Sequence, residues 1–499
     1  MPIVAVDDTD SRERGMCTTY VGARLAERLE SAGGRVRRRL LVRLNPAVKH
    51  KTRGNAAVAV HVAGVDPEAA FDLAVATVRE FAAADDPRTS PGVVVADVDV
   101  AGDPFDPDSA ADAEGEGDDV ATGPSIPDDV ADFARRALRH RLDVDEALSL
   151  AEAHGYRHAA FGTGGEGEGA AVAGRGRIGA LAAVGAPAAF GDWTAERISY
   201  RELDRCGTPR DVDVESVFAA ADAGYPTVWD TVDRETGAAV CVPNAPGPIL
   251  HGIRGDDPAA CREVAAAIES EPVERAATFR TNQGTDAHLA PGRIGDLRDG
   301  AGYRVEGRVA TAPETRRGGH VHVDVVADGA GGSEADAGSV ERSERGDAPR
   351  LRCVAFAPTG RFRDRVRALR PGDRVTLCGE HERRAPAEAG AEGGSADAEG
   401  GSADDALATL KLEKFAVRDL VRTEPAVPAC PDCGRSMSSA GRGQGYRCRD
   451  CGTAAPGKVD REVDRDLEPG WYEVPPSARR HVAKPLVRGG FDAPVHPER

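Results

Sequence analysis

The chain opens with a short run of β-branched residues that ends at a cluster of carboxylates. Ile3 to Val6 predicts a buried strand, and Asp7, Asp8 and Asp10 follow it. Carboxylate oxygens are the ligands that Mg²⁺ prefers, and strand alternation would put Asp8 and Asp10 on one side. We therefore predict that Asp8 and Asp10 bind the metal, with Asp7 as a third ligand or a support. Clusters of Asp, Thr and Ser also form ordinary turns and caps, so the residues alone leave both interpretations open.

A glycine-containing loop and the start of a helix follow the carboxylates. Gly15 lies in the loop, and Thr18 and Thr19 occupy positions where helix N-caps are favoured, ahead of apolar residues at helical spacing. The N–H groups at a helix N-terminus bind phosphate. Together with the carboxylates, this arrangement predicts a phosphoryl-transfer site in which Gly15 and Thr19 contact the phosphates.

A second glycine-rich stretch, residues 174–181, alternates glycine and arginine directly before an apolar helical run. Its backbone N–H groups could hold phosphate, with an arginine supplying positive charge. We therefore assign Gly174, Arg175 and Gly176 to phosphate binding. A close contact between a helix and a sheet would explain the same glycines equally well, and that alternative stays open.

Four of the ten cysteines form two C-x-x-C pairs, each followed by glycine: Cys430 with Cys433, and Cys448 with Cys451. Four thiolates suit tetrahedral Zn²⁺ and leave no open coordination position. The spacing therefore predicts a structural zinc ribbon rather than a catalytic metal. The other cysteines are scattered, and a disulfide framework is typical of small secreted chains rather than of a chain of this length.

The composition indicates a soluble protein adapted to a very salty cytoplasm. The 499-residue chain has a formal charge of −19, and all but six of its 64 basic residues are arginine. Molar salt shortens the Debye length to about 3 Å, so the net charge does not exclude an RNA partner. The chain contains no run of about eighteen apolar residues and no apolar leader, so we expect a cytoplasmic protein without a membrane partner.

Beyond the first part of the chain, the element order indicates two further folds. Between residues 197 and 280 the pattern approximates β-α-β-β-α-β, the ferredoxin-like order, with strands at Thr227–Val232 and Ala238–Val242 and an extended segment at Pro248–Arg254. Five short strands between about residues 303 and 415 predict a barrel of the OB type. Three acidic segments, residues 101–124, 328–347 and 385–405, are predicted as flexible insertions.

Two arginine-rich stretches are candidates for RNA contacts. Arg361, Arg363, Arg365 and Arg367 lie in the barrel region, whose strands carry few aromatic residues for base stacking. Residues 479–488 are the most basic run of the chain and follow the predicted ribbon. We predict that both contact phosphate, while a solvated basic surface is the plain alternative.

These motifs resemble those of the archaeal agmatidine synthetases, the 2-agmatinylcytidine synthetases of isoleucine tRNA. The resemblance rests on the residues from Asp7 to Tyr20, on residues 174–181 and on three further segments, Gly207–Arg210, Leu250–Gly255 and Phe279–Leu289. It extends to the ribbon and covers nearly the whole chain apart from the acidic segments.

The resemblance implies a multidomain α/β and β protein. Its parts would be an N-terminal α/β kinase-type domain (1–189), a ferredoxin-like domain (190–285), an OB-fold barrel (286–424), a C-terminal zinc ribbon (425–460) and a basic C-terminal tail (461–499).

The resemblance also implies a reaction. ATP would phosphorylate the C2 oxygen of the wobble cytidine in a CAU anticodon, and agmatine would then displace the phosphate, so that the tRNA reads AUA. The implied partners are isoleucine tRNA and agmatine, the implied cofactors are ATP, Mg²⁺ and Zn²⁺, and no stable protein partner is implied. Asp7, Asp8, Asp10 and Thr18 are the implied catalytic residues, with Thr18 as a site of autophosphorylation.

Agmatine carries a guanidinium group, which needs a carboxylate or carbonyl partner. Asp230, which follows a predicted strand, and Asp286 are the candidates for this contact. A purely structural role is the alternative for each of them.

Two other classes of protein remain open at this point. A haloacid-dehalogenase-like phosphatase would use the same strand to present an aspartyl nucleophile, and it would form an acyl-phosphate at Asp8 without any role for Thr18. A non-enzymatic RNA-binding protein built from the barrel and the ribbon would leave the carboxylate cluster and the glycine–arginine stretch without a function.

Overall fold

The structure is a computed structural model, and it describes residues 1–13, 15–48, 54–98, 125–162, 174–328, 349–383 and 408–499. The predicted acidic insertions 101–124 and 385–405 lie outside these residues, as does the insertion 328–347 beyond its first residue. Within the described part of the chain, no helix is long and apolar enough to cross a membrane.

The first part of the chain forms an α/β unit around the opening strand. Its elements are β1 (Pro2–Asp7), α1 (Thr18–Ser31), β2 (Arg35–Arg43), β3 (Ala56–Ala63), α2 (Pro67–Phe81), β4 (Gly92–Asp97), α3 (Asp128–Ala137), α4 (Val144–Ala153), β5 (Arg157–Ala160) and α5 (Gly176–Ala189). Local signals set several of these limits. Asp66 caps α2 by accepting bonds from the N–H groups of Glu68 and Ala69, and Asp143 caps α4 in the same way.

Strand β1 lies in the middle of this unit. It pairs with β3 and with β4, antiparallel to both, and all six of its residues are buried. Val4 and Val6 pack beneath α1 and α2 on one face of the sheet. Ile3 and Ala5 pack beneath α3 and α5 on the other face. Because both faces are covered, the strand is a continuous apolar run rather than an alternating one.

A ferredoxin-like unit continues the same sheet. It consists of β6 (Thr194–Tyr200), α6 (Val214–Gly224), β7 (Val228–Trp229), β8 (Ile249–Gly255), α7 (Pro258–Ala267) and β9 (Arg275–Thr281), which confirms the predicted element order. Nine strands follow the order β5-β4-β1-β3-β2-β9-β6-β8-β7. Strands β2 and β9 pair in parallel at Leu40–Arg280 and Leu41–Thr281, so the two units share one sheet.

Two of the predicted strands in this unit need correction. The prediction of a strand at Ala238–Val242 is wrong, because these residues form turns with a single isolated bridge to Asp233, and β7 pairs with β8 instead. Three prolines between residues 243 and 248 follow this segment and cannot donate to a ladder. The strand predicted at Thr227–Val232 is shorter, because Asp230 has a φ of +55° and leaves the extended region.

The predicted OB-type barrel is a closed circuit of five strands. The elements of this region are β10 (Leu289–Gly292), β11 (Ala301–Val309), β12 (Glu314–Thr315), β13 (Val321–Val326), β14 (Arg350–Ala355), α8 (Phe362–Arg367), β15 (Arg374–Arg383) and β16 (Ala408–Asp419). The pairing runs β11-β13-β14-β16-β15 and returns to β11. Helix α8 was not predicted, since six residues are too few for a helical pattern, and it buries Phe362 and Val366 in the barrel core.

The last part of the chain forms the ribbon and then returns to the barrel. Its strands are β17 (Thr423–Ala426), β18 (Ser438–Ser439), β19 (Tyr446–Arg447), β20 (Ala454–Ala455), β21 (Val459–Glu462), β22 (Gly470–Glu473) and β23 (Val495–His496). Strands β18, β19 and β20 form a small sheet, and β17 pairs with β21. Strand β22 pairs with β16 of the barrel, and β23 pairs with β22. Strands β22 and β23 therefore join the barrel sheet, and the limits 461–499 of a separate basic tail stay a prediction.

Candidate active site

The three predicted carboxylates lie together at the end of β1. Asp7, Asp8 and Asp10 are each 8% exposed and line a cavity of about 230 Å³. Other parts of its wall come from α5 and from the turn after α3, where the lining residues include His140, Arg141, Leu142 and Asp143. Sequence reasoning missed these last residues because nothing in their local pattern distinguishes them from an ordinary turn between helices.

Asp7 is packed tightly against α5. A Cβ atom on Gly179 would lie 1.9 Å from Asp7 Oδ2, so only glycine allows the helix to come this close. Burial, and then the negative charge of Asp8, raise the pKa of Asp7 well above its ordinary value. A cation bound at these carboxylates would favour their ionised forms.

Asp8 is held in place by Ser90 and Arg175. Its Oδ2 atom accepts a bond from the Ser90 N–H at 2.9 Å and from Nε and Nη2 of Arg175 at 3.1 and 2.5 Å. None of these three bonds goes to Oδ1. Asp8 also has a φ of +57°, a left-handed conformation that is uncommon for residues other than glycine. Burial raises the pKa of Asp8, although Arg175 opposes the shift. The contacts fix the carboxylate before any ligand binds, and one oxygen stays available to a cation.

The N–H groups of the glycine–arginine stretch already have partners. The Gly174 N–H donates to Ser90 Oγ at 2.9 Å, and the Gly176 N–H donates to the Ser90 carbonyl at 3.0 Å. A Cβ atom on Gly176 would lie 2.4 Å from the backbone nitrogen of Gly92. A close helix–sheet contact, the alternative left open by the sequence, therefore accounts for Gly176, while Gly174 has a φ of +73°, a conformation that favours glycine. Phosphate binding by Gly174 and Gly176 stays a prediction and would require these bonds to open.

The loop before α1 contacts the ferredoxin-like unit. Gly15 has a φ of +89°, and a Cβ atom there would lie 2.6 Å from the Pro246 carbonyl oxygen. The N-cap of α1 is Cys17, whose side chain makes no capping bond, so the prediction that Thr18 or Thr19 caps this helix is wrong. The two threonines instead form the first turn of α1.

A second cavity, of about 240 Å³, lies between this loop and the ferredoxin-like sheet. Thr18 lines it, beside Cys17 and Thr19, and the buried Thr9 hydroxyl donates to Thr18 Oγ1 at 3.2 Å. Asp10 lines both this cavity and the first one. The carboxylate cluster and the predicted phosphate acceptor are therefore neighbours, with Asp10 between them.

Three charged residues that sequence reasoning missed line the second cavity. Glu196 is 3% exposed, and its carboxylate lies 3.3 Å from Arg43 Nη2 and 3.3 Å from Arg254 Nε. Burial alone would raise the pKa of Glu196, but Arg254 and Arg43 together lower it. The three residues belong to β6, β2 and β8, which the shared sheet brings together, so no local spacing in the sequence could indicate them.

The two candidates for agmatine binding line neither of these cavities. Asp230 pairs with Nε of Arg479 at 2.8 Å. Asp286 accepts two bonds from Lys414 Nζ, at 2.6 and 2.8 Å. A role for either carboxylate with agmatine stays a prediction, and the incoming guanidinium would have to displace a buried cation.

The four ribbon cysteines form a compact cluster. Their sulfur atoms all lie within 4.8 Å of one another, and Sγ of Cys433 is 3.6 Å from Sγ of Cys448. Four Zn–S bonds of about 2.3 Å arranged as a tetrahedron require S–S distances of about 3.8 Å. The cluster fits one four-coordinate Zn²⁺.

Several arginines that we predicted as phosphate contacts have partners within the protein. In and beside α8, Arg361 pairs with Asp233, and Arg363 donates to the Gly319 carbonyl at 2.6 Å. Arg365 lies over the Tyr472 ring. The cationic groups of Arg361 and Arg363 are therefore engaged in holding the barrel and its neighbours.

The run 479–488 is not a solvated basic stretch. Arg479 is buried and pairs with Asp230 and Glu473. Arg480 pairs with Glu413 and Glu380, and Arg488 pairs with Asp192 and Asp256. An RNA contact through these side chains stays a prediction, and the positive charges of the three arginines are already paired with carboxylates within the protein.

Comparison with known proteins gives a consistent result. Three family models match the chain: the TiaS TCKD domain over residues 3–163, the TiaS FLD domain over residues 174–288 and the TiaS C-terminal zinc ribbon domain over residues 427–467. The isoleucine-tRNA 2-agmatinylcytidine synthetase TiaS of Haloquadratum walsbyi is 49% identical over 519 aligned positions that cover 100% of both chains. The halophilic adaptation predicted from composition is consistent with this relative.

Two solved structures extend the similarity to three dimensions. The complex of TiaS with isoleucine tRNA and ATP superposes with a TM-score of 0.75 at 35% identity, over 100% of this chain and 99% of that one. The complex of TiaS with isoleucine tRNA, AMPCPP and agmatine gives a TM-score of 0.73 at 33% identity, again over 100% and 99% of the two chains. The chain belongs to the TiaS family of isoleucine-tRNA 2-agmatinylcytidine synthetases.

Proposed function

We propose that the protein is a ligase that converts the wobble cytidine of a CAU anticodon in isoleucine tRNA into 2-agmatinylcytidine, using ATP and agmatine. The relatives named above carry this activity in their names, and two solved relatives hold tRNA with ATP or with AMPCPP and agmatine. In this chain the observation that carries the proposal is the pair of adjoining cavities that share Asp10. One has the carboxylates that a nucleotide–metal complex needs, and the other has the hydroxyl of Thr18.

We assign the nucleotide to the first cavity. Asp8 and Asp10 would hold Mg²⁺, which would neutralise charge on the phosphates. Asp7 supports them at the end of β1, where α5 packs on its carboxylate. The donor set fits a hard divalent cation, because it consists of carboxylate oxygens and Oδ1 of Asp8 is not used by Ser90 or Arg175. Arg175 lines this cavity, whereas Thr19 lines the second one, so the predicted phosphate contacts of Gly15 and Thr19 require the phosphates to extend past Asp10.

The C2 carbonyl oxygen of cytidine is a poor leaving group, so it must be converted into a better one before an amine can displace it. Transfer of the γ-phosphate to the C2 oxygen of cytidine turns a carbonyl oxygen into a phosphate ester, and the primary amine of agmatine can then displace phosphate at C2. The protein contributes positioning and charge stabilisation. Thr18 lies beside Asp10, so autophosphorylation of its hydroxyl is sterically reasonable, and we propose it as the acceptor.

We place Zn²⁺ in the cluster of Cys430, Cys433, Cys448 and Cys451, where it would stabilise the ribbon. The domain limits given from the sequence, 1–189, 190–285, 286–424 and 425–460, are proposed as working limits. Helix α5 packs on β1 and α3, which favours the limit at residue 189, whereas the match to the FLD family model begins at residue 174 and includes α5. A tRNA-modifying reaction implies a cytoplasmic location.

The phosphatase alternative is disfavoured by the sheet. Strand β1 is antiparallel to both of its neighbours. The aspartyl nucleophile of that alternative belongs to a parallel α/β sheet, where the carboxyl ends of neighbouring strands meet at one edge. Moreover, Oδ2 of Asp8 already accepts three hydrogen bonds.

The test is mass analysis of the anticodon loop after incubation of isoleucine tRNA with the protein, ATP and agmatine. We expect a mass increase on the wobble cytidine that requires both small substrates. The control omits agmatine, and a second control uses a tRNA whose wobble base is uridine. An unmodified loop at molar KCl, with folded protein and intact ATP, would contradict the proposal.

A further inference from the structure

A third cavity, of about 250 Å³, lies beside the catalytic one, and Asp286 is the one predicted site residue among its lining residues. Its wall consists of the end of α3, the end of α5 and the link between the ferredoxin-like unit and the barrel. The residues that matter are Arg135, Arg139, Phe190, Asp192 and Asp286. Ala137 and His140, from the same turn of chain as the two arginines, line the catalytic cavity. The end of α3 therefore separates the two cavities.

Both acidic groups that line the third cavity have cationic partners that do not line it. Asp192 accepts two bonds from Arg488, each of 3.1 Å. Asp286 accepts bonds from Lys414 Nζ and from the Lys484 N–H. These carboxylates therefore contribute little negative field to the cavity.

The two arginines are not neutralised in this way. Arg139 donates to the carbonyl oxygens of Ala287 at 2.8 Å and Leu289 at 3.4 Å, and its Nε atom is buried without a hydrogen-bond partner. Burial lowers the pKa of Arg139, and the group that opposes this shift is the Tyr303 phenol rather than a carboxylate. Arg135 is exposed, and among the described residues no carboxylate lies within ion-pair distance of it.

The neighbouring Arg136 has the carboxylate partners that these two arginines lack. It pairs with Asp132 at 2.9 Å and with Glu146 at 2.5 Å. A protein with a formal charge of −19 has ample carboxylates to pair with its arginines. Two uncompensated guanidinium groups at one cavity, one of them with a buried unpaired N–H, indicate a site that takes an anion from outside the protein.

The Phe190 ring is a further wall of the cavity, and it contacts Trp193 edge to face with ring centroids 6.0 Å apart. An aromatic face beside arginine side chains suits a nucleotide, whose base stacks while its phosphate is bound. We propose that Arg135, Arg139 and Phe190 form a subsite for a phosphodiester and adjoining nucleoside of the RNA substrate, one helix end away from the catalytic cavity. This inference rests on the proposed function, since it names where that RNA is held.

The experiment compares tRNA binding by full-length Arg135→Gln, Arg139→Gln and Arg136→Gln variants over a series of KCl concentrations. Each of the first two should weaken tRNA binding several-fold and lower the slope of log affinity against log salt by about 1, because one phosphate contact is lost. Arg136→Gln, on the same helix but already paired, should leave both quantities unchanged. Phe190→Leu should weaken binding without changing the salt slope, because stacking releases no counterion.

The outcomes separate this inference from the proposed function. Unchanged tRNA affinity and slope in Arg135→Gln would overturn the subsite. A loss of ATP affinity in place of tRNA affinity would also overturn it, because the anion would then be the free nucleotide. Arg139→Lys keeps the charge, so a salt slope restored by it excludes a merely structural effect of the lost carbonyl bonds. Failure of the wild-type protein to bind tRNA at all would instead remove the proposed function, and the subsite with it.

Discussion

The aspartate cavity and the C-terminal region both bury several carboxylates, but the partners of these carboxylates differ between the two regions. At the cavity, three aspartates lie within four residues, and among the described residues the cation that pairs with Asp8 is Arg175. In the C-terminal region, the buried acids pair with arginines from the same part of the chain. Asp230 and Glu473 share Arg479, and their side chains are 5% and 0% exposed.

The C-terminal region is an ionic clasp, which we define as residues 473–499 with their partners. It joins the ferredoxin-like unit to the barrel. Glu473 accepts bonds from Arg479 and from the N–H groups of Leu486 and Glu498. At the far end, Arg499 pairs with Asp222 of α6 at 2.5 Å. The acidic residues of the clasp each have a partner within hydrogen-bond distance, so we assign them a structural role.

The comparison shows that burial of a carboxylate does not by itself indicate a binding site. At the cavity, three neighbouring aspartates line open space that a cation can enter, whereas the clasp acids already pair with arginines and backbone N–H groups, even though burial also raises the pKa of Asp230. The predictions below test this difference, from the largest expected effect to the smallest.

The largest effect is expected from neutralising one cavity carboxylate. Asp10→Asn keeps the size of the side chain and removes one charge from both cavities. ATP turnover in the presence of tRNA and agmatine should fall by about a hundredfold or more, because charge stabilisation of the transferring phosphate is lost. The melting temperature should change little. The matched variant Asp233→Asn, in the clasp, should retain turnover below its own melting temperature. Equal losses of turnover in the two variants would mean that charge balance does not distinguish the regions.

The next effect concerns Thr18, which lines the second cavity. Thr18→Ala should abolish transfer of acid-stable label from γ-labelled ATP to the protein. Stability should fall by only about 1 kcal/mol, because one buried hydroxyl contact with Thr9 is lost and no helix cap is removed. Thr19→Ala is the comparison: loss of its predicted phosphate contact would slow transfer, but the label should still be found on Thr18. Label that survives in Thr18→Ala at the wild-type rate would show that another residue is the acceptor.

The third prediction concerns substitutions that remove ion pairs of the clasp. Arg479→Gln leaves two buried carboxylates without a cation and should lower the free energy of unfolding by about 3–5 kcal/mol. Arg480→Gln should cost less, because the Arg480 side chain is 35% exposed and water can replace part of its contacts. Denaturant unfolding at constant high salt measures both. Similar losses for the two variants would argue against a special role for the buried triad of Asp230, Glu473 and Arg479.

The smallest expected effect concerns how stability depends on pH. Ionisation of Asp7 and ionisation of Asp233 should change the free energy of unfolding in opposite directions. Burial raises the pKa of Asp7. In the clasp, burial of Asp233 is outweighed by its contacts with Ser477, Thr236 and Arg361, which lower the pKa of that carboxyl. The unfolded values lie near 3.8. Ionised Asp7 therefore destabilises the fold above that pH, while ionised Asp233 stabilises it.

The corresponding variants should respond in opposite directions. Asp7→Asn should raise the melting temperature at neutral pH, and the gain should shrink as the pH falls towards the unfolded pKa. Asp233→Asn should lower the melting temperature at neutral pH, and that loss should shrink as the pH falls below the unfolded pKa. Melting curves recorded at several pH values check both, and two variants that shift in the same direction at neutral pH would contradict the contrast.

Several features could be predicted from the sequence because neighbouring residues encode them. A β-branched run followed by Asp7, Asp8 and Asp10 specifies a buried strand with carboxylates at its end, wherever that strand lies in the sheet. The paired cysteines form their cluster because each C-x-x-C turn positions two thiolates locally. The ferredoxin-like order and the barrel strands also follow from local patterns. Local patterns failed at Ala238–Val242, which forms turns, at the N-cap of α1, and at the six-residue helix α8, which is too short to show a period.

Other features were decided only by the tertiary structure. Asp230 and Arg479 are far apart in the chain, so no spacing rule could show that they neutralise each other, or that the basic run 479–488 is folded rather than solvated. The N–H groups of Gly174 and Gly176 are taken by Ser90, from a different part of the sheet. Local sequence determines where a charge sits along the chain. Whether that charge is compensated depends on long-range contacts, and these exist only once the sheet, the barrel and the clasp have assembled.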